Sequence, residues 1–113
     1  MKRYLVILLL SGTLLAAIVA NARVPVGTLA GTVVDSRGHG VAGASVTVQT
    51  SYGLHPNATR TDQKGQFQFA RYRAGEYDLR AALGANASNW MKRVLVRSGK
   101  TTQVTLRLES PHS

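Results

Sequence analysis

Arginine is the residue type in this sequence best suited to recognition chemistry, because a guanidinium group can pair with a carboxylate through two parallel hydrogen bonds. Arg71 and Arg73 lie close together at a predicted turn. The arginines predicted to point outward from the last three strands are Arg80, Arg93, Arg97 and Arg107. We interpret these six side chains as a candidate binding face for an acidic glycan or an acidic partner protein. A solvated face that discourages sheet-to-sheet aggregation would have the same pattern, and the sequence leaves both interpretations open.

Trp90 is the aromatic member of this candidate face. It opens the sixth predicted strand after a segment of small residues. Its ring could stack on a sugar, or it could cover the end of the hydrophobic core, which is the interpretation we favour. The sequence pattern offers no second exposed aromatic residue beside it to complete a sugar-binding platform.

The histidines and carboxylates predict neither catalysis nor metal binding. His39, His55 and His112 do not stand at metal-ligand spacing, although a fold could bring His39 and His55 together. Asp62 could help to bind calcium, but a single acid beside Lys64 is more typical of a carboxylate that accepts backbone hydrogen bonds in a turn. We therefore predict no catalytic residues, no cofactor, no metal and no enzymatic activity.

The net charge indicates what kind of partner to expect. The chain has 14 Lys and Arg against 5 Asp and Glu, a formal charge of +9. Without Lys2 and Arg3 the remainder still carries 12 − 5 = +7. Such a charge attracts anionic partners through its long-range field, and it can equally serve solubility alone. We expect a protein or cell-envelope component as partner, an anionic one being an option, and no specific nucleic acid.

The first 22 residues have the pattern of a secretory signal peptide. Lys2 and Arg3 precede an apolar stretch, Leu5–Val19, and the small residues of Ala20-Asn21-Ala22 suit a signal peptidase. An uncleaved membrane anchor is the alternative, although it would need a longer apolar core. The sequence contains no cysteine, which excludes disulfides and a lipid-anchored form. We predict a signal peptide over 1–22, a mature domain over 23–113, a secreted or periplasmic location, and no membrane span after cleavage.

Beyond residue 22, apolar and polar residues alternate with a period of two, which is typical of β-strands. Turn residues separate seven such runs, the pattern of an all-β, two-sheet sandwich. The predicted strands are 28–35, 44–50, 60–62, 66–70, 76–83, 90–97 and 101–108, and 51–59 is predicted as the longest loop. The side chains predicted to face inward are Leu29, Val33, Val46, Val48, Phe67, Phe69, Tyr77, Leu79, Val94, Val96, Val104, Leu106 and Leu108.

The segments around the turns carry more specific information than the strands. They are 31–38 (GTVVDSRG), 41–48 (VAGASVTV), 61–69 (TDQKGQFQF), 74–79 (AGEYDL) and 104–108 (VTLRL). In order and spacing they resemble the carboxypeptidase regulatory-like domain family, over about residues 27–108. The resemblance implies a seven-stranded prealbumin-like or transthyretin-like sandwich, related to Ig-like sandwiches, in a stand-alone secreted form. It also implies a non-catalytic module, which in carboxypeptidases lies beside the peptidase, so it transfers the fold better than the function.

Two functional interpretations remain open. The first is a non-catalytic secreted or periplasmic β-sandwich module that binds, or acts as an accessory to, a protein or a cell-envelope component. The alternative is a carbohydrate-binding module for an acidic or neutral glycan. Clustered exposed aromatic residues in a concave site would favour the glycan, whereas a flat apolar patch or an open edge strand would favour a protein partner.

Overall fold

The structure is a computed structural model that describes residues 24–111. The predicted signal peptide and His112 lie outside the described residues. Within 24–111 the chain forms eight β-strands and no helix. These residues therefore contain no helix that could cross a membrane. The strands are β1 (Val26–Val34), β2 (Ser45–Thr50), β3 (Asn57–Arg60), β4 (Gln66–Arg73), β5 (Gly75–Leu83), β6 (Asn86–Ala87), β7 (Met91–Val96) and β8 (Thr101–Arg107).

The strands form two sheets. The three-stranded sheet has the order β4-β1-β8, in which β1 runs antiparallel to β4 and parallel to β8. The five-stranded sheet has the order β3-β2-β5-β6, and β7 also pairs with β5. The inner faces of the two sheets share one apolar core. This arrangement confirms the predicted all-β sandwich, and the short β6 adds an eighth strand inside the segment between the fifth and sixth predicted strands.

Alternation of side chains explains why these segments pair as they do. Along β1 and β2 every second residue is buried, and Leu29, Val46 and Val48 are completely inaccessible to solvent. Gly31 is buried on β1, and a Cβ atom there would lie 2.7 Å from Cζ of Phe67. The missing side chain therefore makes room for the phenyl ring from β4, so that sheet pairing and core packing depend on the same position.

Twelve of the thirteen predicted inward side chains are buried. The exception, Val104, is half-buried and packs at the margin of the core. Leu83, whose alternation along β5 also predicts an inward side chain, is 42% exposed near the end of its strand. Asp78 lies on the outer face of β5, as its alternation predicts, yet it is only 2% exposed because loop and strand residues cover it.

The third strand is displaced from its predicted position. It spans Asn57–Arg60 rather than 60–62, and the preceding loop ends at residue 56. Thr61 follows the strand and remains bonded to the residues just before β2: its N–H donates to the carbonyl of Ala44 (2.9 Å), and its hydroxyl donates to the carbonyl oxygen of Val41 (2.5 Å). The strand lies earlier in the chain because Asn57–Arg60 pairs with β2, a partner distant in sequence that alternation alone could not predict.

The topology gives the sandwich two different ends. The turn end carries the two tight turns 35–40 and 62–65, which follow β1 and precede β4. The loop end carries the loop 51–56, the junction of β4 and β5 at Ala74, and the turn 97–100 beside the start of β1. His39 belongs to the turn end and His55 to the loop end, so the fold does not bring these two histidines together.

Candidate binding groove

The predicted binding residues are all exposed, but they do not share one face. Arg80 and Arg93 lie on the five-stranded sheet, and Arg97 follows β7. Arg71, Arg73 and Arg107 belong to the three-stranded sheet. The arginines divide in this way because β7 and β8 are consecutive in sequence but pair into different sheets.

Trp90 lies apart from most of these arginines. Its side chain is 37% exposed and lines a small cavity of about 200 Å³ together with Leu106 and Arg107. The ammonium group of Lys92 lies 5.8 Å from the centre of the indole ring, within range of a cation–π contact. Trp90 therefore covers part of the sandwich beside a core leucine while leaving about a third of its surface free.

Three of the predicted residues, Arg71, Arg73 and Arg93, meet at the loop end around two adjoining cavities of about 890 and 700 Å³. The two cavities share four lining residues: Thr50, His55, Arg73 and Tyr77. We call this depression the loop-end groove. Its walls are the loop 51–56, the end of β4 with the start of β5, and residues 92–95 of β7.

The loop-end groove exposes apolar and aromatic surface that the sequence analysis did not single out. Tyr52 is 91% exposed, and Leu54 and Leu95 are 58% and 44% exposed. Tyr52 and Leu54 stand within a segment of glycine, proline and polar residues, where large apolar side chains have no core to fill. That mismatch between residue type and loop context is the sequence signal that could have identified them.

Backbone strain is concentrated at the same groove. His55, Arg71 and Arg93 have φ angles of 52°, 58° and 57°, in the left-handed region that non-glycine residues rarely adopt. These are the three non-glycine residues of the described chain with positive φ, and all three line the groove. Arg93 lies at a bulge where the register between β5 and β7 shifts. Such strain persists only where surrounding contacts enforce it, and it is common at binding sites.

The loop of the groove is held in place by its own hydrogen bonds. Thr50 N–H donates to the carbonyl of Leu54 (2.9 Å), and Leu54 N–H donates to the Thr50 hydroxyl (3.1 Å). Ser51 N–H donates to the carbonyl of Glu76 on β5 (3.1 Å), which ties the loop to the sheet. Tyr52 and Leu54 are therefore exposed from an ordered turn, a preorganised arrangement that reduces the entropy cost of binding.

Asp78 organises the base of the groove. Its buried carboxylate accepts hydrogen bonds from the Ser51 hydroxyl (3.1 Å), from Lys92 Nζ (3.1 Å) and from the backbone N–H of Arg93 (3.0 Å). Burial by itself would raise the pKa of Asp78, but these donors outweigh it and hold the pKa below its ordinary value. One charged side chain thus connects the loop, β5 and the bulge of β7.

The groove contains more positive charge than it neutralises internally. Arg93 Nε pairs with Glu76 Oε2 at 3.1 Å, and Lys92 pairs with Asp78. The guanidinium groups of Arg71 and Arg73 have no carboxylate partner among residues 24–111. The backbone of Arg73 is fixed, because its carbonyl oxygen accepts a hydrogen bond from the Tyr77 hydroxyl (2.5 Å). Two exposed guanidinium groups are therefore available to an external anion.

The remaining candidate, Asp62, has a structural role. Its Oδ1 atom accepts hydrogen bonds from the backbone N–H groups of Lys64 and Gln66, each at 2.9 Å, which confirms the predicted turn-capping interaction. The Gln66 and Lys64 hydrogen bonds lower the pKa of this exposed carboxyl. The described residues contain no cluster of three or more histidine or acidic residues placed to hold a metal ion.

The comparison with protein families agrees with this fold. The sequence model of the carboxypeptidase regulatory-like domain matches residues 28–109, and the chain belongs to this family. The match covers every strand from β2 to β8 and nearly all of β1. It thereby confirms the resemblance found in the turn motifs. A search of curated proteins finds no match to the chain.

Solved structures with the same fold include several bacterial proteins. The chain is similar to the minor pilin GBS52 of Streptococcus agalactiae (TM-score 0.66, 18% identity, covering 80% of this chain and 47% of that one). It is also similar to the TIE protein of Bacillus anthracis (TM-score 0.63, 19% identity, covering 76% of this chain and 17% of that one). A third similar structure is that of a candidate carbohydrate-binding protein of Bacteroides uniformis (TM-score 0.59, 18% identity, covering 74% of this chain and 41% of that one). The chain spans less than half the length of each, and at these identities the likeness shows the fold alone.

Proposed function

We propose that this chain is a non-catalytic, secreted or periplasmic accessory module that binds an acidic protein or cell-envelope component in the loop-end groove. The observation that carries the proposal is that, among residues 24–111, all three non-glycine residues with positive φ line one groove together with two arginines that lack a carboxylate partner, Arg71 belonging to both groups. Strained backbone is common at binding sites, and unneutralised guanidinium groups attract an anion. The exposed Tyr52 and Leu54 would supply the apolar contact that charge alone does not provide.

The secreted or periplasmic location of this activity is part of the proposal. Its support is the signal-like pattern of residues 1–22 and the family membership, together with the minor pilin among the structural neighbours. The basic charge of the chain would steer it toward acidic polymers and acidic proteins of the envelope before specific contacts form.

The test is retention of the chain on immobilised extract of its own cell envelope, eluted with a salt gradient. The groove variant Arg71→Ser with Arg73→Ser should bind at least about tenfold more weakly, because each guanidinium group contributes a charge-assisted hydrogen bond. A matched control, Arg37→Ser with Lys64→Ser, removes the same charge at the turn end and should keep most of the retention.

Equal loss in both double variants would contradict the groove, since binding would then follow net charge. No retention of the wild-type chain would contradict the binding function altogether. Protease treatment of the immobilised extract before the chain is applied separates a protein partner from an acidic glycan, because only a protein partner would be destroyed.

Carbohydrate binding is the second candidate function. The neighbour from Bacteroides uniformis supports it, as does a polar depression on the outer face of the three-stranded sheet, which shares no lining residue with the loop-end groove.

A further inference from the structure

The outer face of the three-stranded sheet carries an array of uncharged polar side chains. In its central row, Ala30 of β1 stands between Gln68 of β4 and Gln103 of β8. In the next row, Thr32 stands between Gln66 and Thr105. These six residues define what we call the amide face. A cavity of about 360 Å³ opens over it, with Ala30 at its floor and all three glutamines in its wall.

The amide groups of this face are available to a ligand. Gln66, Gln68 and Gln103 are exposed, and within residues 24–111 their side chains make no hydrogen bond to another part of the protein. The amide of Asn57 behaves differently, because it donates to the Tyr72 hydroxyl at 2.9 Å. Each glutamine offers two donors and an acceptor in one plane.

The spacing of these amides follows from sheet geometry. Gln68 and Gln103 lie on the two strands that flank β1, so their backbones are about 10 Å apart. Gln66 and Gln68 are two residues apart on one strand, at about 7 Å. The small side chain of Ala30 leaves the space between them open, so a flat ligand can lie across the sheet and meet all three amides.

The lack of charge distinguishes this face from the rest of the protein. The six residues of the amide face are themselves uncharged, and the charged residues lie around it: Arg60 and Asp62 at the rim of the cavity, Arg107 at the end of β8, and Arg71 further along β4. Covering the amide face would therefore remove no ion from water, which is the costly part of burying a polar surface. A neutral polar ligand can compensate the lost hydration by hydrogen bonds to the carboxamides, whereas an anion would find no positive charge among the six residues.

The chemistry of the face selects among neutral ligands. A protein partner needs aromatic or aliphatic anchors at the centre of its interface, and the amide face offers only Ala30 and threonine methyl groups. A polyhydroxylated chain needs paired donors and acceptors on a flat surface, which carboxamides and hydroxyls supply. We propose that the amide face is a second binding site and that it takes a neutral polysaccharide, whose successive sugar rings meet Gln68 and Gln103.

The test is affinity electrophoresis of the full chain in native gels that contain a neutral polysaccharide: hydroxyethylcellulose, laminarin or galactomannan. The wild-type chain should be retarded by at least one of them, with a dissociation constant that does not change as salt is raised. The double variant Gln68→Ala with Gln103→Ala should bind at least about tenfold more weakly, through loss of its amide hydrogen bonds. The control double variant Gln49→Ala with Gln63→Ala removes two amides elsewhere and should bind as the wild type does.

The design separates this site from the loop-end groove. The variant Arg71→Ser with Arg73→Ser should retain full retardation in the neutral gels, whatever its effect on envelope binding. Retardation lost in that variant instead would place the sugar in the groove and overturn the proposal. Wild-type mobility unchanged by all three polysaccharides would also overturn it. A third result would also overturn the proposal: a wild-type dimer in sedimentation velocity that becomes a monomer in the double variant Gln68→Ala with Gln103→Ala. The amide face would then bind a second copy of the chain.

Discussion

The two ends of the sandwich differ in which residues adopt the left-handed conformation. At the turn end, each tight turn begins with an aspartate whose carboxylate accepts two backbone N–H groups, and glycine occupies the left-handed position. At the loop end, Gly53 and Gly99 also have positive φ, but so do a histidine and two arginines, and large apolar side chains face solvent. Local preference and tertiary structure agree at the first end and conflict at the second. Such conflict is expected where a surface is kept for binding rather than for stability.

The turn end is held together by close backbone contact. A Cβ atom on Gly65 would lie 2.6 Å from Val41 N and 2.7 Å from Val33 O, and the residue has a φ of 83°. Val33 N–H donates to the carbonyl of Gly65 at 2.8 Å, which joins the second turn to β1. The two turns therefore interlock around a backbone that has no room for a side chain.

The largest effect is expected from Gly65→Ala, which should lower the free energy of unfolding by about 3 kcal/mol, since the backbone atoms around it must move. Urea unfolding measures this change. The control is Gly38→Ala, where φ is 86° but nothing lies within 4 Å of the added Cβ, and where the loss should be about 1 kcal/mol. Equal losses at the two glycines would show that the turns do not interlock as described.

The next effect concerns Asp78 at the loop end. Asp78→Asn should lower the free energy of unfolding by about 2 kcal/mol near neutral pH, because a buried carboxylate that accepts three hydrogen bonds is replaced by a neutral amide. Because its folded-state pKa is below the ordinary value, its stabilisation is present above about pH 4 and is lost as pH falls through the folded pKa.

The difference in free energy of unfolding between the wild type and Asp78→Asn, measured with urea, should therefore become smaller below about pH 4. Glu109→Gln is the control, since Glu109 is exposed and joins its neighbours through the backbone. It should change stability by less than about 0.5 kcal/mol. A gap that stays constant with pH would contradict the role given to the carboxylate charge.

The smallest expected change in the free energy of unfolding is an increase. Arg71→Gly should raise the free energy of unfolding by about 0.5 kcal/mol, because relief of left-handed strain exceeds the added entropy of the unfolded chain. Arg80→Gly, at an ordinary strand position, should lower it by about the same amount or slightly more. Thermal unfolding and retention on envelope extract are measured for both variants. Arg71→Gly should be more stable than the wild type and should bind the extract more weakly. If Arg71→Gly is no more stable than Arg80→Gly, the loop end stores no strain at this residue.

Much of the fold was predictable from the sequence, because it depends on short-range patterns. Period-two alternation identified the core side chains, from Leu29 on β1 to Leu106 on β8. The turn residues around Asp62 and Gly65 marked the boundary before β4, since their conformations are set within a few residues. The third strand was misplaced because Asn57–Arg60 is a mostly exposed segment without apolar alternation, and its pairing with β2 decides where it lies.

The candidate site was less predictable, because bulges and sheet assignment interrupt the alternation on which it depends. Outward positions of Arg80 and Arg107 follow from their strands, but nothing local shows that they belong to different sheets. The register shift at Arg93 depends on how β7 meets β5 and on the N–H that Asp78 accepts.

The amino-acid sequence by itself therefore determined the fold class, the family and the side chains of the core, because these follow from residue type and spacing. Only the tertiary structure decided which arginines meet, where strain is stored, and that the glutamines of β4 and β8 flank Ala30. Those relations join residues far apart in sequence, and they exist only after β1 has paired with one neighbour on each side.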